Sequence, residues 1–219
     1  MKITTIDLGM VNAYLVKTND GFVLIDTGLP SQWPRLESQL NAAGCRPGDL
    51  KLVVLTHGDW DHIGNCVTLR QQYGAKLAMH AADVPMAAEG VTPQRTIRPL
   101  LFKLMFTLMR LRRSMPQVAR FTPDLLLSDG QRLDDFGLAA KVLHLPGHTK
   151  GSIAVLTNDG GLFAGDTVGN RGKPDCSPFV EDLAQLKHSV QVFQGLNAVM
   201  VYPGHGRPFP AAALLQIKT

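Results

Sequence analysis

The most informative segment of this sequence is Thr56-His57-Gly58-Asp59-Trp60-Asp61-His62-Ile63-Gly64. It follows residues 51–55 (Lys-Leu-Val-Val-Leu), an apolar run typical of a strand that is buried on both faces. Four side chains that can bind a metal ion lie within six residues: His57, Asp59, Asp61 and His62. A loop can turn all four inward, whereas a regular helix or strand would point them to different faces. Imidazole and carboxylate are ligands of catalytic zinc, iron and manganese, so the stretch predicts a metal site.

Three further candidate ligands each follow the end of a predicted strand and lie beside glycine. They are His148 in Pro146-Gly147-His148-Thr149, Asp166 in Gly165-Asp166-Thr167 and His205 in Pro203-Gly204-His205-Gly206. Glycine lets the backbone turn sharply, so that the next side chain points over the end of the strand. The repetition of this context three times favours one shared site over three unrelated structural residues.

With these motifs the chain resembles the metallo-β-lactamase-fold hydrolases. The matching pieces also include Ile25-Asp26-Thr27-Gly28, and together they span residues 24–206. The resemblance implies an α+β fold, a four-layer αββα sandwich in which two mixed β-sheets pack face to face with helices outside. It also implies a binuclear metal site in the cleft between the sheet edges.

The resemblance further implies a role for each matching residue. The ligands of the first metal would be His57, Asp59 and His148, and those of the second would be Asp61, His62 and His205. Asp166 would bridge the two ions, and Asp26 would lie behind the ligands and orient their loop. We expect two divalent ions, with zinc as the first choice and iron or manganese as alternatives.

Position 59 departs from the common family pattern, because Asp59 stands where most members have histidine. Two divalent cations (+4) and three carboxylates (−3) then give the site a formal charge of +1, one less than with histidine. We expect this change to weaken the acidification of bound water and to shift the metal preference toward iron or manganese. A weakly loaded first site is the alternative to a complete pair.

The implied chemistry is hydrolysis by a metal-bridging hydroxide, with Asp61 as the catalytic group that accepts its hydrogen bond and passes on its proton. The substrate bond would be an ester, a lactone, a thioester or a β-lactam-like amide, and no Ser or Cys nucleophile is needed. Two alternatives remain: an iron-dependent redox or dioxygenase-type enzyme of the same fold, and a weakly active ligand-binding or signalling protein.

Composition narrows the class of protein. Of the 219 residues, 45% are hydrophobic and 18% charged, an ordinary globular balance, and the net charge of +4 permits anionic substrates without implying nucleic acid. Cys45, Cys66 and Cys176 show no metal-binding spacing and read as reduced thiols. Because the chain lacks a signal-peptide pattern and a long apolar run, we expect a cytoplasmic protein without stable membrane insertion. We also expect a small-molecule substrate and no nucleic acid, with a homodimer as one option.

Alternating patterns place strands at residues 3–7, 11–18, 21–26, 51–55, 76–80, 141–145, 152–157, 161–164 and 198–202. Helices are predicted at 31–43, with Ser31 as N-cap, and at 61–73, 181–194 and 211–217. No linker or repeat divides the chain, so we interpret residues 1–219 as a single domain with a helical insertion at about 85–123.

Within that insertion, residues 100–113 predict an apolar helix. It could pack on the core or on a second copy, line the cleft as a lid, or lie on an anionic membrane through its arginines.

Several other residues are expected to be structural. His80 and His144 lie on strands and should bond to backbone, and His188 should lie on the surface. Trp60 and Ile63 are interpreted as packing residues. Arg171 and Lys173 are expected in a solvated loop, with contact to an anionic substrate as the alternative.

Overall fold

The computed structural model describes residues 1–91, 93, 95–97, 100, 104, 107–108, 111 and 116–218. Its first sheet has six strands in the order β1-β2-β3-β4-β5-β7. They are β1 (Lys2–Asp7), β2 (Asn12–Thr18), β3 (Gly21–Ile25), β4 (Leu50–Val54), β5 (Lys76–His80) and β7 (Leu125–Leu127). The first three strands are antiparallel, and β3, β4, β5 and β7 run parallel.

The second sheet has five strands in the order β15-β14-β10-β9-β8. They are β8 (Ala140–His144), β9 (Ile153–Thr157), β10 (Gly161–Gly165), β14 (Met200–Pro203) and β15 (Phe209–Pro210). Only the β10–β14 pair is parallel. Two small antiparallel sheets pair β11 (Val168–Asn170) with β12 (Pro174–Cys176), and β6 (Thr96–Ile97) with β13 (Phe179–Val180).

The helices cover the outer faces of the two large sheets. They are α1 (Trp33–Ala42), α2 (Cys66–Tyr73), α3 (Val84–Glu89) and α4 (Leu183–Gln194), with 3-10 turns at Pro30–Gln32, Ala81–Asp83, Asp134–Phe136 and Ala211–Gln216. Leu36 of α1 and Leu69 of α2 pack on the first sheet, and Phe193 of α4 packs on the second.

A third apolar cluster fills the space between the sheets. It joins Val16, Ile25 and Val54 of the first sheet to Val142 and Phe163 of the second, all of them at most 1% exposed. Because each sheet buries one face against the other and one face under helices, the molecule is the four-layer αββα sandwich that the sequence implied. The predicted fold class is therefore confirmed.

Three details of the predicted elements were wrong. The helix predicted from residue 61 begins at Cys66, because the amides of His62 and Ile63 both donate to the Asp59 carbonyl and keep residues 59–65 in turns. The predicted terminal helix is a six-residue 3-10 turn, a geometry common in short segments. Ser31 lies inside a 3-10 turn and is not the N-cap of α1, which is Gln32.

The predicted helix at 100–113 falls partly outside the described residues. Among its described residues, Leu100, Leu104, Thr107, Leu108 and Leu111 are helical. The four leucines are exposed, from 44% for Leu108 to 80% for Leu100. No helix that is long and apolar enough to cross a membrane occurs among the residues described.

Candidate metal centre

The ends of five strands place the candidate side chains along one edge of the sandwich. The parallel strands β3 and β4 of the first sheet end just before Asp26 and the 56–64 loop. In the second sheet β8, β10 and β14 share one direction, since β8 and β10 are both antiparallel to β9 and β14 is parallel to β10. Their carboxyl ends therefore lead together into His148, Asp166 and His205.

All seven candidate ligands converge at this edge. Asp59 Oδ2 lies 3.0 Å from His148 Nε2 and 3.3 Å from His57 Nε2. On the other side, His205 Nε2 lies 3.4 Å from Asp61 Oδ2. Within two groups, which we call the first triad (His57, Asp59, His148) and the second triad (Asp61, His62, His205), the ligand-type atoms all lie within 4.8 Å of one another.

Asp166 lies between the two triads. Its Oδ1 is 3.4 Å from His62 Nε2, while its Oδ2 is 3.1 Å from His205 Nε2 and 3.8 Å from His148 Nε2. His57, His62 and Asp166 form a further group that could hold an ion. One carboxylate thus faces histidines from both triads.

In all four histidines Nδ1 points away from the cluster and Nε2 points towards it. Each Nδ1 has an outer partner: Thr56 Oγ1 for His57, Asp26 Oδ2 for His62, the Phe179 carbonyl for His148 and the Met10 carbonyl for His205. Carbonyl and carboxylate oxygens only accept, so Nδ1 must donate to them, and Thr56 accepts from His57 because its own hydroxyl donates to Asp26. Every Nε2 is therefore left to face the cluster.

Three buried atoms of the cluster lack a hydrogen-bond partner: His57 Nε2, His62 Nε2 and Asp166 Oδ1. Unpaired buried polar atoms are costly, and they call for an explanation such as an ion. An imidazole nitrogen and a carboxylate oxygen are good donors to a divalent cation. The residues therefore fit a metal centre.

The charges of the cluster are strongly coupled. Burial would raise the pKa of Asp166, but His205 and His62 hold it well below its usual value. Burial would likewise lower the pKa of His62, but the carboxylates of Asp26, Asp166 and Asp61 raise it to about 9. His57 behaves differently, since burial and the neighbouring His62 lower its pKa. The carboxylates are thus ionised, as metal ligands must be.

Asp26 lies directly behind the cluster. Its Oδ1 accepts from the Thr56 amide at 2.8 Å, and its Oδ2 accepts from Thr56 Oγ1 and His62 Nδ1. Its φ of +58° makes it the only non-glycine residue with positive φ in the described part of the chain. Such a conformation is costly and is held here by surrounding hydrogen bonds.

Glycine at 204 is required by the packing of the site. A Cβ atom at this position would lie 2.3 Å from Asp166 Oδ1 and 2.7 Å from His62 Cε1. The turn that contains it is fixed from the first sheet, since the Asn12 amide donates to the Gly204 carbonyl and Tyr14 Oη donates to the Pro203 carbonyl. The glycines beside the candidate ligands thus permit close approach as well as tight turns.

Two residues that hold the site were not predicted from the sequence. Asp83, which is 1% exposed, accepts hydrogen bonds from the Gly58 amide, Thr149 Oγ1 and the Gly151 amide, and so joins the two halves of the ligand cluster. An acidic residue just beyond β5 was the available signal. The other is Arg95, whose guanidinium forms two hydrogen bonds with Asp59. It lies in the segment interpreted as an insertion, and no motif marks it.

Residues expected to be structural lie outside the cluster. His80 and His144 stack with ring centroids 3.9 Å apart, and each also bonds to backbone, at the Ala82 amide and the Lys150 carbonyl. His188 is exposed on α4, and Ile63 belongs to the core. Arg171 and Lys173 are exposed in their loop, and their contact with a substrate stays a prediction.

Comparison with known proteins identifies the family. The model of the metallo-beta-lactamase superfamily matches residues 6–205, which is most of the chain. The chain therefore belongs to the metallo-beta-lactamase superfamily.

Curated relatives and solved structures agree with this assignment. The chain is 28% identical to a probable polyketide biosynthesis zinc-dependent hydrolase of Bacillus velezensis, with 72% of this chain and 57% of the relative covered. It is 27% identical to a hydroxyacylglutathione hydrolase of Acidiphilium cryptum, with 84% and 59% covered. The BLEG-1 B3 metallo-beta-lactamase matches the fold with a TM-score of 0.76 at 20% identity, over 98% of this chain and 97% of that one. The chain spans 55 to 64% of the length of three other curated relatives.

Proposed function

We propose that this chain is a two-metal hydrolase that cleaves an acyl bond in a small molecule: an ester, a lactone, a thioester or a β-lactam-like amide. The observation that carries the proposal is the inward orientation of four histidine Nε2 atoms around three ionised carboxylates, with two of those nitrogens lacking any hydrogen-bond partner. Relatives named as a hydroxyacylglutathione hydrolase and a zinc-dependent hydrolase support hydrolytic chemistry.

In this proposal the first triad would hold one divalent ion and the second triad the other, and Asp166, which faces histidines of both triads, would be available to both. Zinc is the preferred metal, since mixed imidazole and carboxylate sets suit it and one relative is named zinc-dependent. Iron or manganese also accept such donors. Iron found at stoichiometric amounts would instead support the redox alternative.

Bound divalent ions supply acidified water and an electrophile for the substrate oxygen. The protein contributes a proton acceptor and a fixed arrangement of ligands. Asp61 is ionised, because His62 and His205 lower its pKa against the effect of burial, so it can accept a proton during the reaction and pass it to the leaving group. The outer partners of the four histidines keep their rings fixed throughout.

The test is metal quantification joined to a substrate screen. The zinc-loaded chain is assayed with p-nitrophenyl acetate, a γ-lactone, an acyl-glutathione thioester, nitrocefin and, as a non-acyl control, bis-p-nitrophenyl phosphate. We expect turnover of at least one acyl substrate and its loss, by at least about 100-fold, in His62→Ala.

The matched control for this test is His188→Ala, which removes an exposed imidazole on α4 and should leave both metal content and turnover unchanged. Zinc uptake without turnover of any acyl substrate would refute the proposed reaction. Equal loss of turnover in both variants would show that the effect does not come from the site.

Four further expectations stay predictions. They are a cytoplasmic location, a homodimer, the absence of nucleic-acid partners, and a single domain over residues 1–219 with an insertion at 85–123. The thiols of Cys45 and Cys66, which form no disulfide, fit the reducing conditions of a cytoplasm. Light scattering of the purified chain tests the homodimer.

A further inference from the structure

Arg95 forms a two-pronged ion pair with Asp59, the residue at which this chain departs from its family pattern. Nη1 donates to Oδ2 at 2.5 Å and Nη2 donates to Oδ1 at 2.6 Å. Both side chains are only 13% exposed. Parallel pairing of this kind is the strong, geometrically specific form of an arginine–carboxylate contact.

Arg95 lies beside the β6–β13 strand pair, which also orients His148. Arg95 directly precedes β6, which pairs with β13 through Thr96↔Val180 and Ile97↔Phe179. The Phe179 carbonyl accepts from His148 Nδ1. The β6–β13 pair therefore fixes two of the three residues of the first triad from outside, His148 directly and Asp59 through Arg95.

The pairing limits how Asp59 can bind a cation. The parallel contacts of the guanidinium use the syn lone pair of each carboxylate oxygen, and these are the two lone pairs that chelation of one ion through both oxygens needs. Chelation would therefore require Arg95 to leave. Oδ2 is the oxygen that also faces the first triad, at 3.0 Å from His148 Nε2 and 3.3 Å from His57 Nε2. With Arg95 in place, Asp59 offers one donor atom, as an imidazole does.

The pairing also changes the charge of the site. The two-pronged contact between these two largely buried side chains is the geometry of an ionised carboxylate paired with an ionised guanidinium. One negative and one positive charge sum to zero, the charge of a neutral imidazole. Counting the positive charge of Arg95 therefore brings the formal charge of the site back to the value expected with a histidine at position 59. The other carboxylate near the guanidinium, that of Glu181, lies further away, with Oε1 3.8 Å from Nε.

We propose that Asp59 and Arg95 act together as one neutral, single-donor unit that replaces a histidine in the first triad, with Arg95 as its positioning residue. This inference rests on the metal centre of the proposed function. It predicts that the two positions are coupled, so that histidine at 59 works only when Arg95 is removed. An imidazole at 59 would leave a largely buried guanidinium without its carboxylate, beside a site that must accept a cation.

The experiment is a double-mutant cycle read out as zinc binding. The wild-type chain, Asp59→His, Arg95→Met and the double variant are titrated with zinc against a chromophoric chelator, and bound zinc is counted by mass spectrometry. We expect first-triad affinity to fall at least about tenfold in Asp59→His and to return to within about threefold of wild type in the double variant. Unchanged affinity in Asp59→His, or a double variant no better than that single variant, would overturn the inference.

Two further variants test whether a change in zinc affinity comes from the contact between Asp59 and Arg95. Arg132 also forms a two-pronged contact with a carboxylate, that of Asp134 on the surface, through Nε and Nη2. Arg132→Met is therefore the matched control and should leave zinc binding unchanged. Arg95→Lys keeps the positive charge but loses the two parallel hydrogen bonds of the guanidinium. We expect the zinc affinity of this variant to fall at least about threefold while the chain stays folded. Wild-type affinity in Arg95→Lys would overturn the inference even if the double variant failed to fold. A wild-type chain that binds neither zinc nor iron nor manganese would refute the proposed function itself. Normal wild-type binding without coupling would refute this inference alone.

Discussion

The hydroxyl of Thr149 donates to Oδ2 of Asp83 over 2.8 Å, and that same oxygen accepts the amide of Gly58. One buried carboxylate thus connects the loop that carries His57 with the loop that carries His148. Its other oxygen accepts from the Gly151 amide. The residues of the first triad follow strands of two different sheets, and the hydrogen bonds of Asp83 connect the loops that carry them.

Asp83→Ala should destabilise the metal-free chain by about 2–4 kcal/mol, because three buried donors lose their acceptor. Urea denaturation in the presence of a chelator measures this loss. Asp135→Ala, at an exposed position, should change stability by about 0.5 kcal/mol or less. Equal effects of the two substitutions would contradict the role given to Asp83.

Asp26→Asn should weaken zinc binding about 10- to 100-fold while the chain stays folded. Asparagine tolerates the positive φ at this position but has only one acceptor oxygen for the three donors that Asp26 serves. Chelator competition gives the affinity and circular dichroism confirms folding, with Asp135→Asn as the control. Wild-type affinity in Asp26→Asn would show that the ligand loop does not need this carboxylate.

Zinc binding should release protons and strengthen as the pH rises. In the metal-free chain the pKa of His62 is raised to about 9 from 6.5, so the ring is protonated at neutral pH and must lose its Nε2 proton to bind a metal. The apparent affinity should rise about tenfold per pH unit for each displaced proton until the pH reaches the raised pKa. Above it, the contribution of His62 should level off.

Calorimetry in buffers of different ionisation enthalpy counts the released protons at pH 7. We expect at least about one per chain, since His205 also has a pKa well above its usual value. His188→Ala should leave the count unchanged. A count of zero, with affinity independent of pH, would contradict the charge state derived for the cluster.

Gly204→Ala should abolish tight zinc binding at the second triad, because the added methyl group would lie 2.3 Å from Asp166 Oδ1 and 2.7 Å from His62 Cε1. The readout is zinc stoichiometry, with loss of about one ion per chain. Gly195→Ala is the control, since its Cβ would meet nothing closer than 3.6 Å and its φ is not positive. If Gly204→Ala bound as much zinc per chain as the wild type, the turn would be able to move and accommodate the methyl group, and the prediction would be wrong.

Much of the fold and of the cluster could be predicted from the sequence. Alternation of apolar residues located most strands of the two large sheets, and the glycine-flanked turns marked His148, Asp166 and His205. These signals are local, since the period of a strand and the conformation of a turn depend on neighbouring residues. The start of α2 was misplaced, because hydrogen bonds to distant residues hold 61–65 out of the helix: the Asn65 side chain donates to the Thr27 and Leu29 carbonyls, and Thr27 Oγ1 donates to the His62 carbonyl.

The family resemblance, the expected metal-dependent chemistry and the seven side chains that converge could all be inferred from the sequence, since they depend on residue types beside strand ends. How those side chains are held depends on the tertiary structure: Asp83 lies between two loops, three of the histidines are turned by distant acceptors, and Arg95 pairs with Asp59. These contacts join residues 25 to 195 positions apart. Their geometry follows from the packing of two sheets, which no local pattern encodes.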